Sequence, residues 1–391
     1  MRIIFLCSSL EPGRDGVGDY TRLLAQECVR QGQQCAIIAL HDRHITDLIE
    51  SEISLERAAI PLLRLPAATP WPKRTSTARA FCARFHPTWF SLQFVPYGFN
   101  KKGIIVGLTK RLLAICGDSP KIHIMFHELW IGEGGQSPLT HRLIGAIQRW
   151  FILDMIRGLK PAVIHTHTPA YVTMLHRAGC AASLLPLFGN IPIIDAPNIE
   201  WLYKKLASLD SAENFVRDRS GFWMLGFFGA LHRQWKPEPF FTILRRAAHK
   251  AGKRVCLLSI GRLGAGEIHW DQFALKYEKD FYFLKLGEQP AERISQFLQY
   301  VDLGVAASTW QLIGKSGTAS AMLDHGLPVI VTRDEVQSLD AIDVSPPIHA
   351  LLHRCDPSLE MKLAAGITKQ PPRHRAEGTT ARFLAPLLCC L

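Results

Sequence analysis

The chain has 391 residues, 48 % of them hydrophobic and 20 % charged, which excludes a disordered or fibrous protein and is enough for two cores. Forty-five Lys and Arg against 34 Asp and Glu leave a formal charge of +11, suited to a phosphate-bearing ligand or an anionic lipid surface. The aromatic-and-glycine pattern of an RNA-binding sheet is missing, as are zinc-finger spacings, so nucleic acid is not expected as a partner. No run of 18 apolar residues lacks charges, and the opening MRIIFLCSS is too short an apolar run for a signal peptide. Ten cysteines without CxxC pairs, several inside strand-like runs (Cys7, Cys35, Cys256), read as buried thiols of a cytoplasmic protein.

Ile3 to Cys7 reads as a buried strand. A loop containing Gly13, Gly16 and Gly18 follows, then a helix from Asp19 to Arg30 and a strand from Cys35 to Leu40. This is a βαβ unit, and its glycine loop lies where open α/β sheets bind ligands. The spacing is not GxGxxG, and no acid stands about 20 residues beyond it, which disfavours a nicotinamide-dependent oxidoreductase. Residues 43 to 88 look irregular, broken by Pro61, Pro66, Pro70 and Pro72. Strands are expected at Phe90–Val95, Ile122–Phe126, Ala162–His165 and Leu184–Leu187, with helices at Gly103–Cys116 and Leu139–Leu159. Gly132, Gly134 and Gly135 make a loop after His127 and Glu128.

The alternation pauses around 195 to 220, where Asp210, Ser211 and Glu213 are polar. A second α/β series starts at Trp223, with strands at Trp223–Phe228, Val255–Ile260, Phe281–Leu286, Leu303–Ala307 and Pro328–Val331. Helices are expected at Pro237–Ala251 and Ala291–Tyr300. The domains expected are 1–200 and 201–368, with 369–391 as connector and closing helix. In IGKSGTASAMLDHGLPVIV, the loop Gly314, Lys315, Ser316, Gly317 and Thr318 enters a helix, and such an entry presents backbone N–H groups to an anion. The P-loop spacing GxxxxGKS/T is absent, and an ordinary αβ unit whose glycines serve only turns fits the same residues.

The ordered words GRDGVGDYTRLLAQECVRQG, FHELW, PLFGNIP, FFGALHRQWKPE, LGEQPAERISQFLQYVDLGVAAST and GTASAMLDHGLPVIV resemble the family-4-like glycosyltransferases of GT-B fold over about residues 1 to 335. The resemblance implies two Rossmann-like parallel-sheet domains facing a cleft. The acceptor would lie on the first and a nucleotide-diphosphate sugar on the second, with no metal and no cofactor. By the resemblance, Gly16 and Gly18 match the N-terminal glycine loop, and His127 matches a histidine facing the transferred sugar. Lys236 and Arg233 match the basic pair that neutralises the leaving diphosphate, and Gly314–Thr318 match the segment around the donor. The family's commoner members carry two glutamates eight positions apart, where this chain has Ile313 and Ala321; Ala230 replaces a familiar arginine.

Each candidate has a plainer reading. Lys236 also fits a solvated helix-start lysine, and His127 a packing group. Glu128 is an alternative base for the acceptor hydroxyl, and Asp19 another that also fits a helix-start acid. His165 and His167 alternate along an extended run, a poor geometry for a metal without a third ligand. The basic stretches 101 to 111 and 142 to 160 suit an anionic leaflet or a solvated helix face. The expected function is glycosyl transfer to a glycan or lipid-linked acceptor, at the inner face of a membrane if the basic stretches meet lipid. A non-catalytic protein of the same fold, binding a sugar nucleotide or glycan or serving as a partner subunit, is the alternative.

Overall fold

A computed structural model describes the chain except for residues 56–57, 118–119, 134–136, 208, 210–217, 234, 334–349 and 391. Gly134, Gly135, Asp210, Ser211 and Glu213 thus lie outside the described residues. The described residues form two compact α/β units. The first takes Met1–Pro186 and residues 376–390; the second takes 187–333 and 350–375. The chain passes to the second unit at Leu187, and Ile191 is already buried in that unit's core. Residues 376–390 return to the first unit, where Phe383 packs against Phe5 and His123.

In the first unit, β1 (Arg2–Cys7), β2 (Gln34–Asp42), β3 (Ile49–Ser54), β4 (Ala59–Pro66), β5 (Trp89–Phe94), β6 (Lys121–Phe126), β7 (Val163–Thr166) and β8 (Ser183–Leu184) form one sheet. Its order is β3-β4-β2-β1-β5-β6-β7-β8, parallel except for the β3–β4 pair. In the second unit, β9 (Phe222–Phe228), β10 (Arg254–Ile260), β11 (Tyr282–Lys285), β12 (Leu303–Thr309), β13 (Val329–Arg333) and β14 (Leu352–Arg354) form an all-parallel sheet ordered β11-β10-β9-β12-β13-β14. Central strands such as β1 and β10 are buried almost throughout, because helices on both faces require a continuous apolar run. Strand order reverses between β1 and β5 and again between β9 and β12. Sheets of this kind bind ligands outside the carboxyl ends of such strands.

The segment that looked irregular is an antiparallel hairpin, β3–β4, followed by the helix Trp71–Phe85. Its prolines sit where a missing N–H costs little. Pro61 precedes the part of β4 paired with β2, Pro66 ends the strand, and Pro70 and Pro72 lie at the helix start. The helix expected from Gly103 begins only at Leu108, since Gly103 and Gly107 both have positive φ. The expected strand Leu184–Leu187 reduces to the two residues of β8. Among the described residues, no helix is long and apolar enough to cross a membrane.

Candidate functional site

A cavity of about 620 Å³ opens at the carboxyl ends of β9 and β12, the switch point of the second unit. Residues 227–233, Ala265, Ser308, Thr318 and Arg333 contribute to its wall. Gly229 ends β9 with φ +80°, and a Cβ there would lie 2.9 Å from the Thr318 methyl, so the chain passes this point only as glycine. The loop beyond is anchored by Trp235, which is 4 % exposed and donates from Nε1 to Thr332 Oγ1 at 2.8 Å. The Trp235 ring also packs edge-on against Phe227 and Phe241. This anchor leaves Arg233 and Lys236 exposed on either side; Arg233 lines the cavity and Lys236 stands beyond its wall.

Arg333 closes β13 and brings a second guanidinium to the cavity, its Nη1 at 3.5 Å from the Ala307 carbonyl. Sequence reasoning passed over it, although the run VIVTR puts a cation at the carboxyl end of a buried strand, where a ligand would meet it. The helix Gly317–Asp324 points its start here through Thr318. Ser316 caps it by accepting the Ala319 N–H at 3.3 Å. The Gly317 and Thr318 N–H groups precede the capped amide, at the helix start where an anion would be met. Gly314 and Lys315 end the preceding tight turn, with Lys315 half-buried.

The two positions where glutamates would stand are apolar and enclosed. Ile313 is 2 % exposed and Ala321 is fully buried, both within the core of the second unit. A Cβ on Gly189 would lie 2.6 Å from the Ala321 Cα, so the helix is also in close contact with the chain entering the unit. The carboxylate of this helix, Asp324, accepts the Gly189 N–H at 2.8 Å and pairs with Arg375. It is engaged in holding the unit together, and burial raises its pKa above the ordinary value.

In the first unit, Asp15 caps the helix Gly16–Arg30 by accepting the Val17 and Gly18 N–H groups, each at 3.0 Å. The Val17 and Gly18 amides are therefore occupied by Asp15, and the Gly13 amide by Asp19. Gly18 is needed for packing, since a Cβ would lie 2.6 Å from the Ser9 carbonyl oxygen, whereas a Cβ on Gly16 would meet nothing within 4 Å among the described residues. Buried Asp42 ties the loop to β2: it accepts from Ser9 Oγ, the Leu10 and His44 amides and Arg64 Nε, the last at 2.7 Å. Burial alone would raise the Asp42 pKa, but these donors hold it below the ordinary carboxylate value.

His127 follows β6 and is 7 % exposed. Its Nε2 lies 3.0 Å from Gln93 Oε1 and its Nδ1 lies 3.0 Å from His167 Nε2. Both ring nitrogens are engaged inside the protein, which suits a positioned group better than a proton acceptor for substrate. Glu128 is half-buried beside it. His165 bonds His123 at 3.0 Å, and burial pulls its pKa down to about 4. Among the described residues, no group of three His, Cys, Asp or Glu side chains is placed to hold a metal.

Two Rossmann-like units of this topology define the GT-B fold, and comparison with solved structures identifies it. The chain is similar to Anabaena HepE in complex with UDP and glucose, at 13 % identity over the whole of both chains and a TM-score of 0.57. It is also similar to sucrose-phosphate synthase from Thermosynechococcus elongatus, at 14 % identity over 99 % of this chain and 91 % of that one, with a TM-score of 0.54. A third is the lipopolysaccharide outer core galactosyltransferase WaaB, at 13 % identity over both full chains and a TM-score of 0.54. No protein-family model and no curated protein sequence matches the chain.

Proposed function

We propose that the protein transfers a sugar from a nucleotide-diphosphate sugar to an acceptor hydroxyl, in the assembly of a glycan, polysaccharide or glycolipid. The observation that carries this reading is the cavity at the β9/β12 switch point, walled by Arg233, Arg333 and the start of the helix Gly317–Asp324. Breaking the bond to the sugar leaves negative charge on a diphosphate. Guanidinium groups and helix-start amides stabilise such charge without a metal. Lys236 and Lys315 add cations on the same two loops. The same region is the donor site in the resemblance, and two of the similar structures hold UDP with glucose or UDP-glucose. On this reading Glu128 is the candidate base, and His127 orients the sugar-facing wall of the first unit.

A specific observation favours a second reading. Ile313 and Ala321 are buried where carboxylates would contact the donor, which suits a protein that binds a sugar nucleotide or glycan without turning it over. Titration with UDP, GDP and ADP, without metal and then with magnesium, followed by a transfer assay with the sugar conjugate that binds, separates the two. Binding with turnover supports the transferase; binding without turnover supports the second reading.

The acceptor is proposed to be lipid-linked, with the protein at the inner face of a membrane. Leu139, Leu143, Ile147 and Trp150 form an exposed apolar stripe on the helix Leu139–Leu159, and Arg142 and Arg149 flank it. Sedimentation with vesicles of anionic and of neutral lipid tests this; equal retention on both, or on neither, counts against it.

A further inference from the structure

At the carboxyl end of the first unit's sheet, two guanidinium groups stack on one indole. Trp71 opens the helix Trp71–Phe85, and its ring centre lies 3.8 Å from Arg74 Cζ and 4.6 Å from Arg111 Cζ. Arg74 is only 3 % exposed. Its Nη1 donates to the Leu40 carbonyl at 2.8 Å and meets His41 Nδ1 at 2.9 Å, while its Nε is buried with no partner among the described residues. Burial first, and the charge of Arg111 second, lower the Arg74 pKa to about 10.

A buried cation is costly unless an opposite charge meets it, and a second cation beside it adds to the cost. Among the described residues no carboxylate pairs with Arg74 or Arg111. The neighbouring Asp42 is taken up by Arg64 at 2.7 Å. The helix itself adds positive potential, for Pro70 caps it without a side chain and its first turn holds no acid. His41 stacks parallel to Trp71 and is kept neutral by burial and by Arg74, with its pKa pulled down to about 4, so it accepts from Arg74.

We propose that Arg74, Arg111 and the start of the helix Trp71–Phe85 form an oxyanion site that holds a phosphate group of the acceptor. Nη1 of Arg74 and Nη1 of Arg111 already donate to the Leu40 and Val106 carbonyls, Pro72 has no N–H, and the Arg74 amide bonds Pro70. The remaining guanidinium N–H groups together with the Trp71 and Lys73 amides still outnumber what the two oxygens of a carboxylate use, which favours the three of a phosphate. Arg74 is the fixed donor, held by Leu40 and His41, and Arg111 is the more exposed partner. The word acceptor rests on the transferase reading; the anion site stands on this cluster alone.

The test is calorimetric titration of the full chain with inorganic phosphate against chloride at matched ionic strength, without nucleotide. Saturable binding, weakened at least tenfold in Arg111→Gln while UDP binding is unchanged, is the expected result. Arg111→Gln is chosen because Arg74→Gln would also remove the buried bonds to Leu40 and His41. Displacement of phosphate by a hexose 6-phosphate identifies a soluble acceptor, and displacement by phosphatidic acid vesicles a lipid-borne one. Displacement by neither overturns the acceptor assignment. No saturable phosphate binding, or equal binding in Arg111→Gln, overturns the site. Loss of UDP binding alone would remove the donor reading and leave this site standing.

Discussion

Nδ1 of His127 and Nε2 of His167 lie 3.0 Å apart, and this contact joins two halves of a buried polar chain. On one side His167 Nδ1 donates to the Leu185 carbonyl at 2.9 Å. On the other, Gln93 links His127 to Ser91, His123 and His165. With Gln93 Oε1 toward His127, the three bonds from Gln93 to Leu185 need three protons, one more than two neutral imidazoles carry. Turning the Gln93 amide gives a neutral chain in which every donor points from His165 toward Leu185.

Nitrogen-15 spectra at pH 7.5 are therefore expected to show His127 and His167 protonated on Nδ1 and bare on Nε2. The opposite tautomer in His127 would contradict the chain. Replacing His167 with Phe leaves His127 Nδ1 without this acceptor, at a cost of about 1–3 kcal/mol in urea unfolding.

Gly18 and Gly16 are two residues apart and differ in what surrounds them. Gly18→Ala forces a Cβ to within 2.6 Å of a backbone oxygen. It is expected to lower stability by about 1–3 kcal/mol. Gly16→Ala meets nothing among the described residues and is expected to change stability by no more than about 0.5–1 kcal/mol, in the stabilising direction. Chemical denaturation of both variants checks the contrast; equal effects would refute it.

Asp42 has a folded pKa below its ordinary 3.8. Its contribution to stability is thus complete above that value and is lost as pH falls through the lower, folded one. Asp42→Asn is expected to cost about 1.5–3 kcal/mol near neutrality, because it weakens one charge-assisted bond of largely buried Arg64 while Glu11 still pairs with it. The variant should also lose less stability than the native chain on going from pH 5 to pH 2. Parallel acid titrations monitored by circular dichroism measure this.

Much of the fold was legible because parallel sheets buried on both faces leave long apolar runs. Residues 3–7, 255–260 and 303–307 all lie within observed strands. The hairpin and the helix after it were not, since Pro61, Pro66, Pro70 and Pro72 read as breakers and only the pairing shows that each sits where its missing N–H is harmless. At the candidate site, the words around Gly229, Arg233 and Thr318 led to one cavity. Arg333 was missed although VIVTR places it at the carboxyl end of a buried strand, because only the sheet order brings that strand beside the switch point. The engagement of both His127 nitrogens, through Gln93 and His167, depends on β5 and β7 flanking β6, which local sequence does not state.

The cavity beside Gly229 is proposed to receive a nucleoside diphosphate. Calorimetric titration of UDP into the native chain and into Arg333→Gln, with no metal present, tests it most directly. Binding to the native chain and a loss of about 10–100-fold in the variant are expected, as for removing a charge-assisted contact of about 1.5–3 kcal/mol. Equal affinity for the two proteins, or no binding of UDP, GDP or ADP by a folded native sample, would contradict it.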